Sequence, residues 1–270
     1  MPVFILTLSQ VKNVNTSGTL LVFFIIHFLV YPASNGYNSY IDRDESPIGG
    51  LEKPPVPTKQ LFYLTLILDL SAIFLAFVFI KPLFSVCILI YILASRAYSS
   101  RQVRLKKYPY IGFFTVVVFQ GAFTFVMCSV GLSGQSFVLN YPTMLILLAT
   151  SFQIAGAYPL TQIYQHKEDY SQGVITLSYK LGYRGTFVFT MLMFILCNVF
   201  YFLFFKELNQ TKHFILLQVF FFPIVIYFMS WFLKVIKNKN EANFKNTMRM
   251  NTIAACCMNA CFLVLFYLNN

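Results

Sequence analysis

Long apolar stretches separated by short polar segments cover most of the chain. Eight of them reach the roughly 20 residues that a helix needs to cross a hydrocarbon core of about 30 Å. They lie at about 19–38, 61–80, 83–99, 111–131, 142–160, 186–206, 213–236 and 250–268. A ninth stretch, MPVFILTLSQ at the start, is too short to span. Because a bilayer requires every backbone polar group to be satisfied within the segment, the pattern predicts an all-α polytopic transmembrane helical bundle. It would have eight full spans plus an N-terminal partial helix.

The composition supports this class of protein. Hydrophobic residues make up 58% of the 270 residues and charged residues 11%, whereas a soluble domain carries about 25% charged residues. A separate soluble catalytic domain is therefore excluded, and we expect one transmembrane domain over residues 1–270. The six cysteines all lie in apolar stretches without paired spacing, so we expect neither a disulfide framework nor a zinc site.

The basic residues predict the orientation in the membrane. Of the 20 Lys and Arg residues, 16 lie in four alternate loops, at 39–60, 96–110, 161–185 and 234–249, and only 4 lie on the other side. Positive loops face the cytoplasm, so we expect an integral membrane protein, of the inner (plasma) membrane, with these loops cytoplasmic. The positive loops then account for the net charge of +11, so this charge does not indicate a nucleic-acid partner, and none is expected.

Two acidic or amide-rich motifs lie on this same predicted face. The first ends the first full span, where Asn38 and Asp42 are spaced i, i+4 and share one helix face, with Asp44 and Glu45 just beyond. Carboxylate and amide oxygens at a helix end suit Mg²⁺ together with phosphate oxygens. A solvated helix end would show similar residues.

The second motif follows the fifth span. Its polar residues fall at offsets 0, 3, 4 and 7, which predicts one polar stripe on a helix: Gln162, Gln165, His166 and Asp169. Such a stripe is either a solvated helix end or the wall of a polar cavity. The density of polar residues favours the cavity.

A basic segment lies between the two motifs. It contains Tyr98 followed by four cations, Arg101, Arg104, Lys106 and Lys107. Cytoplasmic loops commonly look like this, but Arg and Lys beside a metal also bind phosphate. Together the three segments suit a metal-bound diphosphate at the mouth of a membrane cavity whose apolar chain lies inside, as an isoprenoid diphosphate requires.

These residues resemble the UbiA superfamily of intramembrane prenyltransferases. NSYID followed by RDE resembles its first aspartate-rich motif, YSSRQVRLKKYP resembles its basic loop, and DYSQGVITLSYKLG resembles the end of its second motif. The resemblance implies nine transmembrane helices around a central cavity. The short first stretch then corresponds to a truncated first helix.

The resemblance also implies a mechanism. Asn38, Asp42 and Asp169 would bind Mg²⁺ that grips a prenyl diphosphate, and Arg104, Lys106 and Arg101 would neutralise the departing diphosphate. Asp42, Asp169, Lys106 and Arg104 are thus the expected catalytic residues. The further candidates are Asp44 and Glu45 for the metal, and Tyr98, Lys107, Gln162, Gln165 and His166 for the substrate.

The sequence departs from the family pattern in both motifs. Ser46 stands where the first motif carries another aspartate, and Gln162 and Gln165 stand where the second motif carries aspartates. Fewer carboxylates predict a single Mg²⁺ held mainly at the first motif.

Three functions remain open from the sequence. The first is transfer of an isoprenoid group to a lipophilic acceptor. Such an enzyme would act in isoprenoid biosynthesis and would be surrounded by membrane lipid. The second is a terpene cyclase, in which the substrate's own double bonds capture the cation. The third is a non-catalytic lipid-binding membrane protein or a transporter, which the altered ligands of the second motif and the truncated first helix motivate. Asp69 and His27, which lie inside spans, would suggest a proton path for a transporter.

Overall fold

The computed structural model of the protein describes residues 1–12, 14–43, 47–133 and 137–269. In these ranges the chain forms ten α-helices and no β-strand. Eight of the helices are long and apolar enough to cross a membrane, which confirms the predicted span count. The helices are α1 Pro2–Gln10, α2 Thr16–Asp42, α3 Lys59–Ile80, α4 Pro82–Ser99, α5 Pro109–Leu132, α6 Tyr141–Thr161, α7 His166–Ser171, α8 Leu177–Glu207, α9 Thr211–Lys237 and α10 Phe244–Asn269.

Local sequence explains where several helices begin. The side chains of Asn15, Asn140 and Thr176 accept hydrogen bonds from the first turns of α2, α6 and α8. Each satisfies a backbone N–H that has no partner within its helix. The helices α1, α4 and α5 instead have proline in their first turn, where a missing N–H costs nothing.

The predicted partial helix is α1. It is nine residues long, so it extends only about 14 Å at 1.5 Å per residue. Most of its side chains are buried, and it packs against α10 and the second half of α5. This short helix is therefore part of the core of the bundle.

Three spans contain a wider π-helical turn, at Ile25–Val30, Ala76–Ile80 and Val118–Phe123. Such turns re-aim the side chains that follow them and often lie near functional sites. In α5 the turn contains Gly121, where a Cβ atom would lie 2.7 Å from Cα of Ser151 on α6. Only glycine allows α5 and α6 to approach this closely.

The start of α8 differs from the sequence prediction. The helix begins at Leu177 instead of near residue 186, and Gly182 with φ of 67° interrupts it. The first turns carry polar side chains, so hydropathy alone missed them. Lys180 lies 4.9 Å above the ring of Tyr110, which fixes this polar start against the beginning of α5.

Consecutive spans run antiparallel, so the three segments found in the sequence meet at one end of the bundle. We call this the motif end; it holds Asp42, Ser99 and Thr161, the last residues of α2, α4 and α6. The most extensive helix contacts are those of α6 with α8, α2 with α3, and α5 with α6.

Candidate active site

A cavity of about 250 Å³ lies at the motif end, between α2, α4, α5, α6 and the segment from 162 to 176. Seven of the residues proposed from the sequence line it: Asn38, Asp42, Tyr98, Lys106, Gln162, Gln165 and Asp169. The fold thus brings all three sequence segments to one space. Further polar residues, which the sequence argument did not select for the site, also line it: Ser34, Asn35, Ser95, Ser99, Thr115, Gln120, Thr161, Glu168, Gln172 and Thr176.

The first motif presents oxygen atoms to a cation. Lys106 Nζ forms an ion pair with Asp42 and lies 3.5 Å from Oδ1 of Asn38. The hydroxyl of Ser99 donates a 2.7 Å hydrogen bond to the same Oδ1. The side chains of the ion pair are only 11% and 5% exposed. The last turn of α2 therefore holds one positive charge between an amide oxygen and a carboxylate.

A tight turn positions Lys106. Residues Leu105–Lys107 form one 3₁₀ turn, preceded by Arg104 in the left-handed region with φ of 46°. A Cβ atom at Gly112 would lie 3.0 Å from Cα of Lys106 and 3.2 Å from the carbonyl oxygen of Leu105. The missing side chain at Gly112 therefore lets the turn lie directly on α5.

Amides and phenols connect the two sides of the cavity. The hydroxyls of Tyr98 on α4 and Tyr158 on α6 are hydrogen-bonded to each other. Gln162 Nε2 donates to Tyr158 at 2.9 Å, while its Oε1 is buried and has no hydrogen-bond donor in the part of the chain described. Gln165 Nε2 donates to the carbonyl of Pro47 at 3.3 Å, which ties the two motif loops together.

The predicted single polar stripe of the second motif is wrong. The helix α6 ends at Thr161, and α7 begins only at His166, so Gln162, Gln165, His166 and Asp169 do not share one helix. Pro159 near the end of α6 removes one backbone donor and precedes the break. Although Gln162, Gln165 and Asp169 still line the cavity, they do so from a turn and a short helix.

His166 lies outside the cavity lining. Its Nε2 is 2.8 Å from the hydroxyl of Ser178, and its ring stacks on Tyr183 with centroids 4.9 Å apart. Burial lowers the pKa of His166 from 6.5 to about 4, so the ring is neutral near pH 7. The contacts of His166 with Ser178 and Tyr183 hold α7 against the start of α8. This packing positions Glu168 and Asp169 of α7 at the cavity.

Glu168 and Asp169 are the acids that α7 brings to the cavity. Glu168 accepts a 3.3 Å hydrogen bond from Gln172. Among the described residues, no three His, Cys, Asp or Glu side chains are close enough together to hold a metal ion. A metal at the first motif would consequently need amide oxygens and substrate oxygens among its ligands.

Three other proposed cations do not line the cavity. Arg101 and Lys107 are exposed, and Arg104 is half-buried with an Nε that has no acceptor within the described ranges. All three flank Lys106 on the same loop. Asp44 and Glu45, proposed as metal ligands, and Ser46 lie outside the described residues.

A second ion pair lies inside the membrane-spanning region. Arg96 on α4 binds Asp69 on α3, and its guanidinium lies 3.9 Å above the ring of Tyr37 on α2. Neither charged residue lines the cavity. Through these contacts the pair connects α2, α3 and α4. Each of the two charges is compensated by the other, which indicates a structural role for the pair.

Sequence reasoning could have found some of the missed cavity residues. Asn35 precedes Asn38 by three residues, so extending the face of the first motif by one helical turn reaches it. Ser99 follows Tyr98 directly in the basic segment. Gln120 gave no comparable signal, because a single amide in a span shows nothing about which side of the helix it occupies.

The model of the UbiA prenyltransferase family matches residues 1–253. The solved structure of a digeranylgeranylglyceryl phosphate synthase in membranes is similar to this chain, with a TM-score of 0.64 and 20% sequence identity. The similarity covers 98% of this chain and 91% of that chain, and at this identity it shows the fold alone. No curated protein matches the chain at a significant level of sequence similarity. Because the family match extends over nearly the whole sequence, the chain belongs to the UbiA prenyltransferase family.

Proposed function

We propose that this prenyltransferase moves an isoprenoid group from a Mg²⁺-bound prenyl diphosphate to a lipophilic acceptor. The observation that supports the proposal best is the meeting of Asn38, Asp42 and Lys106 at the mouth of an intramembrane cavity. The diphosphate would lie at the motif end, and the isoprenoid chain would lie among the helices. We propose that residues 1–270 act as a single domain in this reaction.

The residues present fit a divalent cation. The ammonium of Lys106 already lies against oxygens of Asn38 and Asp42, so these atoms are arranged around a positive charge. Asn38 and Asp42 would hold Mg²⁺, with Asp169 on the opposite motif as a further ligand; Asp44 and Glu45 remain candidates. When bound, the metal would supply positive charge that stabilises the diphosphate as a leaving group.

Lys106 would change partners during the reaction. Its flexible ammonium can leave Asp42 and donate to phosphate oxygens when metal and substrate are bound. Arg101, Arg104 and Lys107 would add positive potential from the same loop as the diphosphate departs. Preorganised cations of this kind act where negative charge develops in the transition state.

The transfer itself needs little covalent chemistry from the protein. The bond between C1 of the isoprenoid and the diphosphate oxygen breaks, and its electron pair leaves on the diphosphate. An electron-rich atom of the acceptor bonds to C1 and gives up one proton to a diphosphate oxygen. Tyr98 and Tyr158 line the cavity, and their π faces would stabilise the allylic cation. Gln162 and Gln165 would hold the substrate as neutral hydrogen-bonding groups.

The positive charge of the loops supports a cytoplasmic position of the motif end, at the inner (plasma) membrane, in this proposal. Water-soluble diphosphate would then leave directly into the cytoplasm. A cysteine introduced at the exposed position Arg101 should react with a membrane-impermeant maleimide in inverted vesicles and remain unreacted in intact cells.

Pyrophosphate release tests the function directly. The purified protein in nanodiscs, with Mg²⁺, prenyl diphosphates of ten to twenty carbons and a membrane lipid extract, should release pyrophosphate and form a prenylated product. Asp42→Asn should lower release at least 100-fold, since one charged metal ligand and the partner of Lys106 are lost. The control Glu207→Gln changes an exposed acid at the opposite end of the bundle. Equal rates for Asp42→Asn and the parent protein would refute the site.

The same assay separates the alternatives. Pyrophosphate release without any acceptor, accompanied by a cyclic hydrocarbon, would identify a terpene cyclase and overturn the transferase proposal. No release under any condition from folded protein would favour a non-catalytic lipid-binding role.

A further inference from the structure

A groove between α8 and α9 opens toward the surrounding membrane. Its volume is about 480 Å³, and it shares no lining residue with the cavity at the motif end. On α8 the groove extends from Met191 to Phe202, and on α9 from Phe214 to Met229. At 1.5 Å per residue these stretches are about 17 and 22 Å long. A lipid of the bilayer can therefore enter the groove without passing the candidate active site.

The wall of the groove suits a hydrocarbon chain. Eleven of its thirteen lining residues are Phe, Ile, Val or Met, and the other two are Asn198 and Gln218. Gln218 donates a 2.9 Å hydrogen bond to Asn198, which donates one of 2.8 Å to the carbonyl of Phe194. The two amides are thus paired with each other, and the remaining wall offers apolar contact. One leaflet contributes about 15 Å of a hydrocarbon core of about 30 Å, so the groove is long enough for an acyl chain.

Arg184 lies beyond the groove toward the motif end. Arg184, Val188, Met191 and Ile195 follow one another at spacings of four, three and four, so they share one face of α8. Arg184 precedes Met191 by seven residues, which places it about 10 Å closer to the motif end. Val188 is exposed between them and continues the apolar surface toward the guanidinium. One cation therefore lies at the mouth of the groove, in line with its wall.

Most hydrogen-bond donors of Arg184 are free. Its Nη2 donates a 2.7 Å hydrogen bond to the carbonyl of Ile236 in the last turn of α9, so the guanidinium bridges the two helices of the groove. A guanidinium carries five N–H groups. Arg184 makes no other side-chain hydrogen bond and no ion pair within the described part of the chain. The planar arrangement of the remaining N–H groups suits two oxygens of a phosphate.

Two further cations lie at this end of α9. Lys237, its last residue, follows the residue whose carbonyl Arg184 binds, and Lys239 is two residues further on; both side chains are exposed. The single acid of this loop, Glu241, accepts a 2.9 Å hydrogen bond from Asn246 and forms no ion pair in the residues that the structure describes. The mouth of the groove is therefore positively charged.

We propose that the groove between α8 and α9 binds an anionic phospholipid, with its phosphate at Arg184 and one acyl chain along the groove. The phosphate oxygens accept hydrogen bonds from Arg184, and Lys237 and Lys239 attract the negative headgroup. A zwitterionic phospholipid has the same phosphate and chains, but its own cation faces these lysines, so it binds more weakly. The lipid lies outside the candidate active site, and its binding does not depend on the proposed prenyl transfer.

Native mass spectrometry of the protein in detergent tests the proposal, because it counts bound lipids directly. The protein is titrated with dioleoylphosphatidylglycerol and with dioleoylphosphatidylcholine, which carry the same chains and differ in headgroup charge. The first phosphatidylglycerol should bind at least tenfold more tightly than the first phosphatidylcholine, since each basic residue near the headgroup contributes about fivefold. Dihexanoylphosphatidylglycerol, with the same headgroup on short chains, should bind at least tenfold more weakly than the dioleoyl lipid, because most of the apolar contact is lost.

Two matched pairs of variants test the headgroup and the chain separately. Arg184→Gln should lower the preference for phosphatidylglycerol about fivefold. Its control Lys234→Gln removes an exposed cation nine positions from Val225, half a turn away from the groove on α9, and should leave the preference unchanged. Val225→Trp fills the groove and should weaken binding of both dioleoyl lipids about tenfold. Val219→Trp, at an exposed position outside the lining, should not.

Thermal unfolding of each variant separates loss of the lipid site from loss of the fold. If Arg184→Gln does not fold, the double variant Lys237→Gln/Lys239→Gln replaces it, since both side chains are exposed, and it should also lower the preference at least fivefold. Four results would overturn the proposal. These are equal binding of the two headgroups, an unchanged preference in the folded cation variants, equal binding of the short-chain and long-chain lipids, and a lipid-free dimer that Val225→Trp dissociates, which would assign the groove to a second copy of the chain.

Discussion

Removing the Lys106 ammonium should make the protein depend on Mg²⁺ for stability. Lys106 and Asp42 form a buried ion pair, with side chains 11% and 5% exposed. Removing one partner of such a pair costs about 3–5 kcal/mol, because the remaining charge stays in a poorly solvated place. We therefore expect Lys106→Met in EDTA to be less stable by about this amount.

Metal should reverse most of this loss. If Mg²⁺ uses the oxygens that now face the ammonium, it replaces the missing charge in the variant but must displace Lys106 in the parent protein. The metal should consequently stabilise Lys106→Met more strongly, by at least 1.4 kcal/mol, which corresponds to a tenfold difference in affinity. Urea or thermal unfolding in nanodiscs, with EDTA and with millimolar Mg²⁺, measures both effects.

Two variants complete this experiment. Lys107→Met removes an exposed charge from the same loop and should respond to Mg²⁺ as the parent does. In the double variant Lys106→Met/Asp42→Asn, both charges are gone, so stability in EDTA should recover and the response to Mg²⁺ should disappear. Equal stabilisation of Lys106→Met and the parent protein by Mg²⁺ would refute a shared site for ammonium and metal.

Three further predictions concern positions outside the metal ligands. Gly112→Val should displace the turn that carries Lys106 and lower pyrophosphate release at least tenfold with little loss of helix content, since its Cβ would lie 3.0 Å from the backbone; unchanged release would contradict the packing argument. Arg96→Met should destabilise the protein by about 3–5 kcal/mol, and adding Asp69→Leu should recover most of this in urea unfolding, whereas additive losses would show that the residues are not coupled. Burial lowers the pKa of His166 from 6.5 to about 4 in the folded protein, so as the pH drops the imidazole takes up a proton in the unfolded chain before it does so in the folded one. The free energy of unfolding should therefore fall as the pH drops from about 6.5 to 4. His166→Gln should make that part of the pH profile less steep, and a profile identical to the parent's would exclude a contribution from His166.

The hydrophobic pattern predicted the architecture well, for a physical reason. A bilayer leaves few ways to satisfy a backbone, so runs of about 20 apolar residues determine the helices. The hydrophobic pattern missed the start of α8, where polar residues extend the span. The hydrogen bond that Thr176 accepts and the contact of Lys180 with the ring of Tyr110 stabilise this part of the helix, and neither contributes to hydropathy.

The site was predictable where its residues are close in sequence. Asn38 and Asp42 share one helix face, and the structure places them as the i, i+4 spacing indicated. Lys106 was one of four similar cations in the sequence, and the structure distinguishes it by its ion pair with Asp42 and by the contact of its turn with Gly112. The prediction for the second motif was wrong because a helical period was extended past Thr161, where α6 ends two residues after Pro159. Asn35 and Gln120 line the same cavity only because α2 and α5 pack around it, which no local pattern encodes.

The ion pair between Asp69 and Arg96 has a consequence for biogenesis. A single charge near the centre of a span, as Asp69 is in α3, costs about 2.5–3.5 kcal/mol during insertion through the translocon, whereas Arg96 lies near the end of α4. Here the two charges lie on successive helices, α3 and α4, joined only at Lys81. If the helices leave the translocon together as a hairpin, the carboxylate and the guanidinium enter lipid already neutralised. We therefore expect α3 and α4 to partition into the bilayer as one unit, and a long polar linker placed between them should impair integration of the nascent chain.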